Sequence, residues 1–181
     1  MTVTFAPALA EQAFVLEHIA GIGELGVDGD IVGAVLEGVG TFAAGEWAPL
    51  DRIGDTVGAK WTAEGVVMPD GYAQAYRAYI EGGWGTIGSP AEHGGQGMPV
   101  SLSVAVLETL GSANMGFALA PILTVGAIEA LMHHGTPEQQ AAYLPKLSTG
   151  EWTGTMNLTE PQAGSDVGAL KSRAEPVGDG T

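Results

Sequence analysis

Apolar side chains recur at Ile31, Val32, Val35, Leu36, Val39 and Phe42. That spacing traces one stripe of an α-helix, with Asp30 expected as its N-cap. Pro49 and Leu50 open a second helical stretch running through Ile53 and Val57. Thr62 to Val67 reads as a short extended linker, and Pro69-Asp70-Gly71 leads into Tyr72, Ala73, Tyr76, Tyr79 and Ile80. The three tyrosines fall on one helical face; such a stripe is core packing, with a ligand platform as the alternative. Pro99–Leu110 predicts a strongly apolar helix with Val100, Val104, Leu107 and Leu110 on one side, and Phe117–His134 another, apolar nearly all round. Helices of this kind are expected inside a bundle. Glu129, the one charge in the second, is either exposed or paired, with a pocket-lining acid as the alternative. Nearer the N-terminus, an extended start and Pro7 precede a short helix carrying Leu9, Ala13, Phe14, Leu16 and Ala20.

Glycine and proline punctuate this pattern. Gly135 suits a helix C′ position, and Thr136, Pro137 and Gln139 then offer a cap, an N1 proline and a capping box. Gly21-Ile22-Gly23-Glu24-Leu25-Gly26 matches G-x-G-x-x-G, but a helical pattern precedes it where a dinucleotide fold needs a strand. A helix end with a loop is the expected outcome. Glu81 to Gly97 is too glycine-dense for a helix and reads as an irregular connector, either functional or plugged into the core by Trp84. After Gly150 the character changes: Trp152–Leu158 is short, apolar and β-tending, and Ala169–Ala174 weakly so. Residues 176–181 resemble a hairpin turn without its return strand. The expected fold is therefore mainly α: an N-terminal helical bundle followed by the first strands of an incomplete β-domain. It divides into a helical N-terminal extension over 1–70, a helical domain over 71–150 and the start of a β-domain over 151–181. About thirty residues cannot close such a domain without open edges, so the chain is expected to be an N-terminal fragment.

Composition narrows the chemistry. The 181 residues are 45% hydrophobic, enough for a core, and carry 6 basic against 21 acidic side chains, a net charge of −15. That balance argues against nucleic acid and against an anionic membrane surface. Anionic ligands would have to be held by backbone dipoles and local donors. There is no cysteine, which fits a cytosolic protein, and no basic n-region of a secretory signal. The uncharged run Thr109–Ile128 is about as long as a membrane span. Gly111, Ser112, Asn114, Gly116 and Pro121 break it into two expected helices meeting at a Gly-Asn turn.

The histidines lack metal-ligand spacing: His133 and His134 are adjacent, and His18 and His93 have no ligand type at the right offset. Ser165 lacks the second glycine of a nucleophile elbow. What remains is Met156-Asn157-Leu158-Thr159-Glu160-Pro161-Gln162-Ala163-Gly164-Ser165-Asp166. An apolar segment that can face a flat ring runs into a Gly-Ser corner whose bare N–H groups and hydroxyl can hold an anion without lysine.

The Leu-Thr-Glu-Pro-x-Ala-Gly-Ser-Asp string resembles the signature of the acyl-CoA dehydrogenase family. Upstream, Gly135-Thr136-Pro137-Glu138-Gln139, Tyr143-Leu144-Pro145-Lys146-Leu147, Gly150-Glu151-Trp152 and Pro90-Ala91-Glu92-His93-Gly94-Gly95-Gln96-Gly97 are similar to segments of the same family, so the resemblance runs from about residue 85 to Thr181. Members with a long N-terminal extension resemble it most. The resemblance implies FAD as cofactor, an acyl-CoA substrate, an electron-transferring flavoprotein as acceptor and a homo-oligomer. It implies that Met156 and Leu158 contact the flavin ring, that Thr159 hydrogen-bonds near its pyrimidine end, and that Gly164 and Ser165 meet the pyrophosphate, with Ser165 also near the acyl-CoA. Gln162 stands where the family commonly has glycine. The family's catalytic base, a glutamate of a later helical bundle, has no counterpart here, and Glu160 is not that base. An acyl-CoA oxidase on the same scaffold, or a non-catalytic helical assembly module, are the alternative readings.

Overall fold

The computed structural model describes residues 5–178. The fold is mainly α. Helix α1 (Leu9–Phe14) continues into a π-helical turn, Val15–Ile19, and a 3₁₀ turn, Ile22–Leu25. Helix α2 (Gly29–Phe42) passes through a second π-helical turn, Ala43–Trp47, into α3 (Ala48–Thr56). A hairpin of β1 (Lys60–Thr62) and β2 (Gly65–Val67) follows, then α4 (Tyr72–Glu81), α5 (Val100–Ala113), α6 (Met115–His134) and α7 (Pro137–Ser148).

Local chemistry sets most of these boundaries. The cap of α2 is Asp28, whose Oδ1 accepts from the Asp30 N–H at 2.9 Å, so the expected cap lies two residues too late. The extended linker at 62–67 is instead antiparallel β1–β2, pairing Trp61 with Val66. The capping box of α7 forms as expected: Thr136 Oγ1 accepts from the Gln139 N–H, and Gln139 Oε1 accepts from the Thr136 N–H at 2.9 Å. Gly135 ends α6 in extended rather than left-handed backbone, so no positive φ requires glycine there. Gly21 and Gly26 do adopt left-handed angles, at φ 61° and 82°, and bracket a loop after helical residues. This is the loop reading of the G-x-G-x-x-G match.

One apolar core draws on both sides of residue 70. Trp47 is fully buried and stacks on Phe117, their rings 4.3 Å apart and 5° from parallel. Tyr79 and Phe42 close around Trp47, and Tyr72 stacks on Phe117 at 4.8 Å. The tyrosine stripe is therefore core, and Trp84 packs on Phe42. Asn114 pins this cluster between α5 and α6. Its Oδ1 accepts from the Phe117 N–H at 3.0 Å, capping α6, while its Nδ2 donates to the Trp47 carbonyl at 3.2 Å. Replacing Asn114 by Ala removes a cap and leaves the buried Trp47 carbonyl without that donor. The expected cost is about 2–4 kcal/mol in denaturant unfolding.

Two expectations about burial fail. On α5 the buried face is Leu102, Ala105, Val106, Thr109 and Leu110, whereas Val100 and Val104 are exposed at 75% and 55%. On α6 only the face of Phe117, Ala118, Pro121, Thr124 and Ile128 is buried; Met115, Leu119, Ile122 and Val125 are exposed. Both helices are apolar around most of their circumference, so periodicity does not say which side meets a neighbour. Among the described residues α6 alone has the length and mean hydropathy, 1.8, of a membrane span. Its cap at Asn114 and its packing against α5 and α7 make it a bundle helix.

The strands expected after Gly150 do not form within the described residues. Trp152–Leu158 is irregular and unpaired, 167–169 is a 3₁₀ turn, and the sole pairing is a bridge between Glu160 and Ala163. An extended segment becomes a strand only with a partner edge, and no described residue supplies one. The expected terminal hairpin over 176–181 falls partly on residues 179–181, outside the described residues.

Candidate functional site

The path of the chain out of α7 is fixed by side chains of the bundle. Gly150, at φ 78°, turns its carbonyl to accept from the Tyr76 hydroxyl at 3.0 Å. The Trp152 N–H donates to the Lys146 carbonyl at 3.0 Å, and the Lys146 ammonium lies 4.5 Å from the centre of the Trp152 ring while pairing with Glu151 at 2.8 Å. Two residues on, the Gly154 N–H donates to Thr124 Oγ1 of α6 at 3.1 Å. A Cβ on Gly154 would stand 2.6 Å from Ala127 Cβ and 3.2 Å from Thr124 Cα. Only glycine lets this backbone lie directly on α6.

From that anchor the segment presents an open apolar surface. Met156 and Leu158 are 59% and 45% exposed, Trp152 is 44% exposed, and Thr159 is exposed. A tight turn follows, with the Glu160 and Ala163 N–H groups each donating to the other's carbonyl at 3.0 Å and Ala163 buried. Gly164 and Ser165 come next, both exposed. Gly164 is not in the left-handed region, and an added Cβ would meet only Thr159 Cγ2, at 3.8 Å, an ordinary contact. Nothing in the fold itself requires glycine at 164; the space above it is open.

Glu160 forms the base of this loop. Its Oε1 accepts from the Ser172 N–H at 2.8 Å, its Oε2 from the Lys171 N–H at 3.0 Å and from the Gln162 side-chain amide. The Ser172 side chain first, then the Lys171 and Ser172 amides, hold its carboxyl down at about 2. Residues 160–172 are thereby closed into a ring whose outer part carries Gly164, Ser165 and Asp166. The pattern named Glu160 and Gln162 but gave no sign of this closure. A pairing across eleven and twelve residues has no periodic trace. Gly154 and Thr124, which seat the segment, left no trace either.

The remaining candidates resolve locally. His133 pairs with Glu129 at 3.3 Å, one turn away, and Glu129 also lines a cavity of about 110 Å³ together with Trp84, Val104 and Ser103. Among the described residues no group of three histidine or acidic side chains could hold a metal.

Comparison with known proteins identifies the family. Residues 32–151 match the profile described as acyl-CoA dehydrogenase, N-terminal domain. The chain belongs to the acyl-CoA dehydrogenase family. The match starts inside the segment read as an N-terminal extension. The chain is 42% identical to 3-methylmercaptopropionyl-CoA dehydrogenase of Ruegeria pomeroyi, over 99% of this chain and 32% of that protein. It is 34% identical to a butyryl-CoA dehydrogenase of Syntrophomonas wolfei, over 71% of this chain and 22% of the relative. A solved structure titled electron transferring flavoprotein of Acidaminococcus fermentans superposes with a TM-score of 0.64 at 25% identity, covering 77% of this chain and 34% of that one. The chain thus spans about a third, or less, of the length of the curated relatives it matches.

Proposed function

We propose that the full-length protein is an FAD-dependent acyl-CoA dehydrogenase and that the corner at Gly164 and Ser165 seats the FAD pyrophosphate. The observation that carries this reading is the unexplained glycine: neither backbone angle nor packing requires it, and the open space beside an exposed hydroxyl suits a close-approaching anion. With a chain charge of −15, donors at the corner must act in place of any general positive field. Met156 and Leu158, already exposed, supply an apolar wall for the ring, and Thr159 lies between wall and corner with its hydroxyl available for the pyrimidine end. Ser165 serves the acyl-CoA as well.

Met156, Leu158, Thr159, Gly164 and Ser165 would hold FAD, which would supply the hydride acceptor for the β-carbon of the thioester, with a carboxylate taking the α-proton. This chain orients the cofactor; it supplies no base. Glu160 has both oxygens engaged by backbone amides and is held ionised, so it is not free to exchange a substrate proton. Electrons pass to an electron-transferring flavoprotein, and the enzyme is a homo-oligomer.

The test has two arms. Purified full-length protein is expected to be yellow and to reduce a dye acceptor with acyl-CoA without forming peroxide, whereas the isolated 181-residue chain is expected to show no turnover. A colourless full-length protein, or robust turnover by the isolated chain, contradicts the proposal.

A further inference from the structure

We propose that Glu160 is a positioning residue: its carboxylate staples the signature loop shut at Lys171 and Ser172 and so holds the Gly164–Ser165 corner in the shape that receives a diphosphate. This role rests on the reading of the corner as the cofactor seat. The geometry is that of a ring with one fastening. The turn bridge between Glu160 and Ala163 closes only four residues, and the 3₁₀ turn at Val167–Ala169 is held by the Ala169 and Leu170 N–H groups donating to the Asp166 and Val167 carbonyls at 3.2 and 3.3 Å. Neither ties the start of the loop to its end. Glu160 does, through 2.8 and 3.0 Å bonds to two successive amides. A carboxylate taking paired N–H donors makes charge-assisted bonds, stronger than neutral ones.

The staple also fixes where the Glu160 carboxylate sits. A free carboxylate four residues before Gly164 would repel a diphosphate. Here the Lys171 and Ser172 N–H groups and the Gln162 side-chain amide donate to it, so its oxygens are engaged within the loop while Gly164 and Ser165 stay exposed. Gln162 is part of the device: the family commonly has glycine there, and in this chain the side-chain amide donates to Glu160 Oε2. The carboxyl, ordinarily at 4.5, is held at about 2. A depressed folded value means that the fastening contributes fully above about 4.5 and is lost as pH falls towards 2.

The experiment uses Glu160→Ala, Glu160→Gln and Gln162→Gly in the full-length protein, with FAD affinity read by flavin fluorescence. Amide exchange and carboxyl titration are read in the same proteins with FAD removed. Wild type is expected to protect the Lys171 and Ser172 amides and to titrate Glu160 near 2. Glu160→Ala is expected to lose that protection and to bind FAD about tenfold or more weakly, as supports behind a binding site typically do. Glu160→Gln keeps one acceptor and should recover part of both; Gln162→Gly keeps both amide bonds and should change affinity by less than about threefold. Wild-type affinity in Glu160→Ala, with wild type itself binding FAD, overturns the positioning role and leaves the cofactor reading standing. Failure of wild type to bind FAD overturns the cofactor reading and this role with it. Unprotected Lys171 and Ser172 amides in wild type show that no staple exists.

Discussion

Gly164→Val in the full-length protein is expected to weaken FAD binding by about 100-fold, the scale of an ångström-sized misplacement in a binding site, while the melting temperature stays within about 2 °C. The two halves of this prediction come from one observation. A Cβ at 164 meets only Thr159 Cγ2, at 3.8 Å, so the fold tolerates it; the branched γ-carbons then occupy the open space above the corner. Gly164→Ala should be silent in stability and intermediate in affinity. Titration with FAD and thermal unfolding, run side by side, separate a lost cofactor seat from a damaged fold. Equal losses in both would mean that the glycine serves the chain itself.

Gly154→Val is expected to act at a distance to similar effect. The new side chain would start 2.6 Å from Ala127 Cβ and 3.4 Å from the Leu123 carbonyl, so the segment must lift off α6 and give up its bond to Thr124. Met156, Leu158 and Thr159 follow it. FAD affinity should fall about 100-fold although residue 154 touches no proposed cofactor atom. Ala127→Gly removes the tightest of these contacts, so the double variant should recover part of the loss, against a helix cost of about 1 kcal/mol. No recovery would mean that the seat on α6 does not set the position of the wall.

The helices were legible because they carry their own punctuation. Thr136, Pro137 and Gln139 spell a capping box that forms as spelled, and the spacing of Val32, Leu36 and Val39 gives the buried face of α2. Where a helix is apolar around most of its circumference, as with Val100 and Val104 on α5 or Leu119 and Ile122 on α6, burial depends on which neighbour is present, and local sequence does not carry that information. The hairpin at Lys60–Val67 was missed because each strand is three residues long, too short for alternation to register. At the site the division is similar. Met156, Leu158, Thr159, Gly164 and Ser165 stand in one contiguous string and lie together on one exposed loop. What shapes that string comes from elsewhere: Thr124 and Ala127 from α6, Tyr76 from α4, Lys171 and Ser172 from beyond the loop. A motif records the residues that meet a ligand; the contacts that aim them depend on loop closure and packing.

A structure of the full-length protein with FAD tests the central claim most directly. The pyrophosphate oxygens should lie about 2.7–3.2 Å from the Ser165 hydroxyl and from the backbone N–H groups of the Gly164–Ser165 corner, with the flavin ring against Met156 and Leu158. A flavin bound elsewhere, or the space above Gly164 filled by another part of the protein, would contradict the account.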